Sequence, residues 1–291
     1  YINLGRLYFE LKRYDDAICE YKMAIWLDSL NVRAYYYLCQ LYEEQRDFDR
    51  AIDVCEKLIE LQPHVADFHC RMAQYLYLKG ELTGAIDHYQ TSLTLSRNSQ
   101  WSSVVSQALG IIFQENIKDL DAAISAYQHA YTLNPNDIDI YLNLGNVFFE
   151  KGSYDNAVTV YKKALEASPN NARLHCNLGY LYWGKGSLEE AIKEYEKAIK
   201  YDSTYDIAYN NLGVIYLDDL GMVKKAMELF EQARKYNPNY ALAHYNLARS
   251  TAITGDKIEA AKLYQIALDI NKFTQELDPE EIQEKIQDLF T

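Results

Sequence analysis

The residues that could do chemistry in this chain fall into two sets with different prospects. The first set holds six histidines and five cysteines, the side chains that bind metals or act as nucleophiles. Two His-Cys dipeptides, His69-Cys70 and His175-Cys176, look like ligand pairs, but they lie far apart and no CxxC spacing supplements them. Cys19, Cys39, Cys55, Cys70 and Cys176 are odd in number and unpaired in spacing, so they do not outline a disulfide framework. There is no GxxxxGK[ST] phosphate loop, no GxGxxG after a strand and no HExxH. Carboxylates such as Glu189, Glu190, Glu194 and Glu196 sit among lysines at i,i+4 spacing, which is the habit of a solvated helix face. No enzyme activity, metal or cofactor is expected. The second set is a series of amides: Asn3, Asn143, Asn177, Asn211 and Asn246. An amide offers both donor and acceptor, so a row of them can pair with a peptide backbone of any sequence.

That row exists because the chain repeats. A block of about 34 residues is written eight times. In repeat five Tyr141, Leu144, Gly145 and Phe148 are followed by Ala157, Tyr161, Ala164 and Pro169. Repeat one carries Leu4, Gly5, Tyr8, Ala17, Tyr21 and Ala24 in the same frame, and repeat six carries Leu178, Gly179, Tyr182, Ala191, Tyr195 and Ala198. Each half-repeat places apolar residues at i, i+3, i+4 and i+7, one face of a helix. Small residues stand where two helices must cross, for example Gly145 against Ala157. Polar turns separate the halves, often with glycine, as in Lys79-Gly80-Glu81 and Lys185-Gly186-Ser187. Pro63, Pro135, Pro169 and Pro238 close the second helices. Each unit is a helix–turn–helix that buries its apolar face only by stacking on its neighbours.

The spacing resembles the tetratricopeptide repeat across nearly the whole chain. The resemblance implies an all-α α-solenoid, a right-handed superhelix of eight helix–turn–helix repeats. Breaks in the frame divide it into repeats one to three (1–97), repeats four to eight (98–274) and a C-terminal capping helix (275–291). The first break is the polar run from Ser96 to Ser103 around Trp101, read as a longer connection or an extended helix start that could expose Trp101. Repeats four and seven each carry one extra residue in the inner turn, near Asn116–Leu120 and Leu217–Gly221. Asp278-Pro279-Glu280-Glu281 is a helix start, and Ile282, Ile286, Leu289 and Phe290 should share one face against repeat eight.

In the family resembled, first helices line an inner groove that takes extended peptides or single helices. The positions left over by packing are therefore candidate contacts: Asn143, Asn146, Phe149, Arg173, Asn177, Tyr180, Trp183, Asn210, Asn211, Tyr245 and Asn246. The amide row resembles the asparagine ladder in the repeat region of O-linked N-acetylglucosamine transferase and in some armadillo carriers. A secondary groove in repeats one to three would use Arg6, Arg33, Tyr36 and Arg71, suited to a partner carboxylate. Chaperone-binding members use a clamp of lysines and asparagines. Here Ile2, Tyr36, Leu142 and Cys176 hold one clamp position and Asp67, Asp139 and Ile207 another, so a chaperone tail is disfavoured. His69, His175 and His244 occupy a packing position that is tyrosine in other repeats.

Bulk properties narrow the partner. Net charge is −13, which excludes sequence-independent nucleic-acid binding and argues against anionic lipid. No apolar run approaches a membrane span. Thiols without pairing favour a reducing, cytoplasmic setting. The sequence opens at Tyr1, inside the first helical pattern, so a piece of a longer chain is expected. The function expected is a scaffold or adaptor that binds a protein or peptide. The rival expectations are the recruiting region of a larger enzyme, such as a glycosyltransferase, and a self-associating structural protein.

Overall fold

The computed structural model describes residues 1–290, all helix and turn. The chain divides into two compact units, Tyr1–Lys151 and Gly152–Thr291. The division falls in the turn of repeat five, whereas the break in the repeat frame falls near 97.

The first unit holds α1 (Ile2–Glu10), α2 (Tyr14–Leu27), α3 (Val32–Glu44), α4 (Phe48–Leu61), α5 (Ala66–Leu78), α6 (Leu82–Leu95), α7 (Ser99–Ile111), α8 (Leu120–Leu133) and α9 (Ile138–Glu150). The second holds α10 (Tyr154–Ala167), α11 (Ala172–Gly184), α12 (Leu188–Tyr201), α13 (Asp206–Val214), α14 (Val223–Tyr236), α15 (Ala241–Ile253), α16 (Lys257–Thr274) and α17 (Pro279–Asp288). Within each unit, odd-numbered helices up to α15 are first helices of repeats and even-numbered ones second helices. Each pair packs on itself and on the next, so each unit is a stretch of α-solenoid.

The sequence places glycine against alanine at the helix crossing. In repeats one, four, six and seven the atoms nearest that glycine belong to the aromatic ring one turn beyond the alanine. A Cβ on Gly5 would lie 2.5 Å from Tyr21, one on Gly110 2.6 Å from Tyr127, and one on Gly213 2.6 Å from Phe230. In these repeats the ring lies across the first helix so closely that a methyl group would overlap it unless the ring shifted, whereas repeats three and eight carry Ala73 and Ala248 at the same position. The rings of Tyr21, Tyr127, Tyr195 and Phe230 are fully buried as a result.

A second regularity closes the repeat junctions. The ring at the first-helix Tyr/His position lies against the main-chain carbonyl six residues earlier. Tyr141 donates to Pro135 at 2.8 Å and Tyr209 to Ser203 at 3.2 Å. His69, His175 and His244 place Nε2 at 3.0, 2.9 and 2.9 Å from the carbonyls of Pro63, Pro169 and Pro238. A carbonyl only accepts, so Nε2 carries the proton in all three. Lysines reinforce the same junctions from outside: Lys79 pairs with Asp49 at 2.6 Å, and Lys151 with Asp121 and Lys185 with Asp155 repeat the contact.

The extra residues of repeats four and seven do not lengthen the turns. They widen the helix, as π-turns over Ile112–Ile117 and Ile215–Asp219. The closing bond is preserved: Asp119 N donates to Phe113 O and Met222 N to Tyr216 O, as Ser187 N does to Tyr182 O in a repeat of ordinary length. Between repeats three and four the helix-start reading holds, since Asn98 caps α7 by accepting from Trp101 N at 3.0 Å. Trp101 is half-buried, packed against the core cluster of repeats three and four, rather than exposed. At the C-terminus Ile282, Ile286 and Leu289 pack into the core of the second unit. Phe290, in the turn after α17, is exposed rather than packed with them.

Two predictions follow from these junctions. The turn after the first helix is left-handed at Gly80, Gly152, Gly186 and Gly255, but Lys12 and Arg46 hold φ of 56° in repeats one and two. Arg46→Gly should therefore raise stability by about 1 kcal/mol, read as a higher urea midpoint. The second prediction concerns pH. Burial lowers the pKa of His88, helped by the neighbouring His69, and burial lowers that of His244, whose Nδ1 is buried without a partner. The unfolded chain takes up protons first as pH falls through about 6.5, so their share of stability is present above that pH and is lost below it. Melting should fall between pH 7 and pH 5. His244→Tyr, the residue of repeats five and seven, should keep the Pro238 bond, gain about 1 kcal/mol and flatten the slope.

Candidate partner-binding face

In the second unit α11 touches α13 and α13 touches α15, so three first helices form a continuous face. The predicted residues of this unit share it, but not on equal terms. Arg173 and Tyr180 are exposed, Asn177, Trp183, Asn211 and Tyr245 are half-buried, and Asn210 and Asn246 are buried. The amide row divides between the units, with Asn143 in the first and Asn177, Asn211 and Asn246 in the second. On α9, in the first unit, Asn143 and Phe149 are half-buried and Asn146 is exposed.

The amides are oriented by their own chain. Asn177 Nδ2 donates to the Tyr161 hydroxyl at 3.4 Å, and burial pushes that phenol up to about 12, so it stays protonated at neutral pH. For Asn246 of repeat eight the corresponding ring, on the second helix of repeat seven, is Phe230, which has no hydroxyl. Asn246 turns instead to Asn210, donating to its Oδ1 at 3.0 Å, and Asn210 donates to Asn211 Oδ1 at 3.3 Å. Arg249 donates to Asn246 Oδ1 at 3.2 Å and, through its other guanidinium nitrogen, to Asp218 at 2.8 Å. Buried amides so linked fix the face, and the half-buried Asn177 and Asn211 are left at its surface.

Three residues that matter here escape the sequence reading: Asp218, Asp219 and Arg249. Both aspartates belong to or abut the π-turn of repeat seven, which carries them onto the face. Asp219 accepts from Trp183 Nε1 at 2.9 Å, thereby fixing the indole, and Tyr180 packs beside it with ring centres 6.0 Å apart. The extra residue near Leu217–Gly221 was the available signal, but a count of residues does not say whether a turn or a helix absorbs it. At the far edge Tyr245 donates to Glu281 of α17 at 2.6 Å.

The secondary groove in the first unit is arranged otherwise. Arg71 donates to Asp67 at 3.1 Å, Glu43 at 2.8 Å and the Tyr36 hydroxyl at 3.0 Å, and its guanidinium lies over the Tyr36 ring. Tyr75 adds a bond to Glu43 at 2.8 Å. Arg71 is thus committed within the fold, to two carboxylates already present. Arg6 is exposed over the Tyr37 ring, and Arg33 is exposed on the first turn of α3. Among the described residues no cluster of three or more metal-ligating side chains occurs, and no helix is long and apolar enough to cross a membrane.

Known proteins share this architecture. Family models described as TPR repeat match residues 5–46, 117–152, 145–186 and 184–219, and models described as tetratricopeptide repeat match 32–65 and 219–273. Stress-induced-phosphoprotein 1 of Caenorhabditis elegans is 26% identical over 153 residues, 52% of this chain and 46% of that protein. The Hsp70-Hsp90 organising protein of Plasmodium falciparum is 22% identical over 160 residues, 52% of this chain and 26% of its own length. The chain thus spans less than half the length of these relatives. The crystal structure of the C-terminal part of a TPR repeat-containing protein from Cytophaga hutchinsonii superposes with a TM-score of 0.65 at 18% identity, covering 88% of this chain and 99% of that one, a likeness of fold. With repeat frame, helix pairing and family matches in agreement, the chain belongs to the tetratricopeptide repeat family.

Proposed function

We propose that this protein is an interaction scaffold that holds an extended or helical peptide segment of a partner on the first-helix face of its second unit. The observation that carries the reading is the aromatic pair Tyr180 and Trp183. Tyr180 is exposed, and the Trp183 indole is fixed by Asp219. Large rings held in one orientation lose little entropy on binding and are frequent centres of binding energy. Asn177 and Asn211 beside them suit a peptide backbone, and Arg173 adds a charge at the edge. The relatives support a role without chemistry, since one of them is named for organising two chaperones. The clamp positions held here by Tyr36, Asp67 and Cys176 argue that the partner is not a chaperone tail.

The test is a peptide-display selection on the whole chain, followed by affinity measurement of the selected peptides. An Asn177→Ala, Asn211→Ala, Trp183→Ala variant should bind them at least about tenfold more weakly, with helix content unchanged. Undiminished binding by the folded variant would remove this face from the function.

A further inference from the structure

The Trp183 indole offers a partner its ring but not its N–H. Nε1 donates to Asp219 Oδ2 at 2.9 Å, so the one polar hydrogen of the side chain is already used. What remains open is the ring face, which carries partial negative charge. The Tyr180 ring stands beside it, with centres 6.0 Å apart and planes inclined at 58°, and Tyr180 is 43% exposed. The carboxylate that holds the indole is itself exposed, because the π-turn Ile215–Asp219 carries it out of the stack. A carboxylate accepts at several sites on its two oxygens, and the indole N–H fills one of them. Two rings and an anion therefore border one corner of the first-helix face, and all three are electron-rich.

The cations nearby do not cancel that character. Arg249 is held between Asp218, at 2.8 Å, and Asn246, at 3.2 Å. Lys185 pairs with Asp155 at the repeat junction, and Lys225 donates to the Tyr216 hydroxyl at 2.6 Å. Lys224 is exposed, but on α14, a second helix. Arg173 stands at the opposite end of α11, about 15 Å away along the helix axis and beyond the screening length of about 8 Å at physiological salt. Among the described residues no cation forms an ion pair with Asp219. We propose, on the reading of this face as a peptide site, that the corner takes a lysine or arginine side chain of the bound segment, with its charge over the rings and against Asp219. An acidic side chain would meet the carboxylate and both ring faces as like charge. An apolar one would remove the carboxylate from water with only the indole N–H to compensate it. A cation gains from the rings and from the carboxylate together. The net charge of −13 also draws a basic segment toward the chain from a distance.

The probe is a random peptide library displayed on phage, selected in parallel on the whole protein and on its Asp219→Asn variant. Asparagine can still accept the indole N–H through Oδ1, so the variant removes the charge and keeps the ring in place. Asp219 is exposed, and unchanged helix content verifies that the variant folds. The native protein should enrich lysine or arginine at one fixed position, and the variant should not. Resynthesised with glutamine at that position, the selected peptides should bind the native protein at least about tenfold more weakly. The basic and glutamine versions should bind the variant about equally, so that the two changes do not add. Peptides that need Trp183 but show no preference for a cation, or that bind Asp219→Asn as tightly as the native chain, would overturn this inference and leave the peptide site standing. Peptides indifferent to the Asn177→Ala, Asn211→Ala, Trp183→Ala variant would overturn both, as would a selection that recovers no peptide.

Discussion

The architecture depends on one contact, an aromatic ring of the second helix lying across a small residue of the first, made in every repeat except the second, where Cys55 stands in its place. Gly5 under Tyr21, Gly110 under Tyr127, Gly179 under Tyr195 and Gly213 under Phe230 allow two backbones to approach closely enough for the ring to be wholly buried. Everything further out inherits its position from that approach. The Tyr/His junction bonds reach their carbonyls because the pairs are that close, and the lysine of the inner turn reaches the aspartate of the preceding repeat for the same reason. A solenoid of this kind has no central core to absorb an error, so each unit must be closed locally.

The candidate face shows how small departures from the repeat make a site. Phe230, where most repeats have tyrosine, removes a hydroxyl and turns Asn246 toward Asn210. One added residue in repeat seven becomes a π-turn and brings Asp218 and Asp219 beside Arg249 and Trp183. Neither change disturbs the packing contact, since Phe230 fills the place of tyrosine and the π-turn keeps the bond from Met222 to Tyr216. The altered geometry is obtained at positions the stack can spare. The two π-turns fall in different units.

The first unit uses polar residues differently. Arg71, Glu43, Asp67, Tyr36 and Tyr75 form a network in which one guanidinium is shared by two carboxylates and a hydroxyl. Such a network ties together five first-helix side chains of α3 and α5 and commits the arginine that was expected to meet a partner.

Spacing in the sequence determines the helices, their pairing and the number of repeats, because periods of 3.6 and about 34 residues are local properties that survive without coordinates. The capping role of Ile282 and Ile286 was legible for the same reason, and so was the packing role of His69, His175 and His244. What only the tertiary structure decides is how polar groups are shared between repeats. Asn177 and Asn246 look alike in sequence but differ in burial, because their partners come from neighbouring repeats 16 to 36 residues away. The glycine-to-ring contact and the π-turns were hidden likewise, since a one-dimensional pattern counts residues and does not say which atoms a helix brings within 3 Å of another.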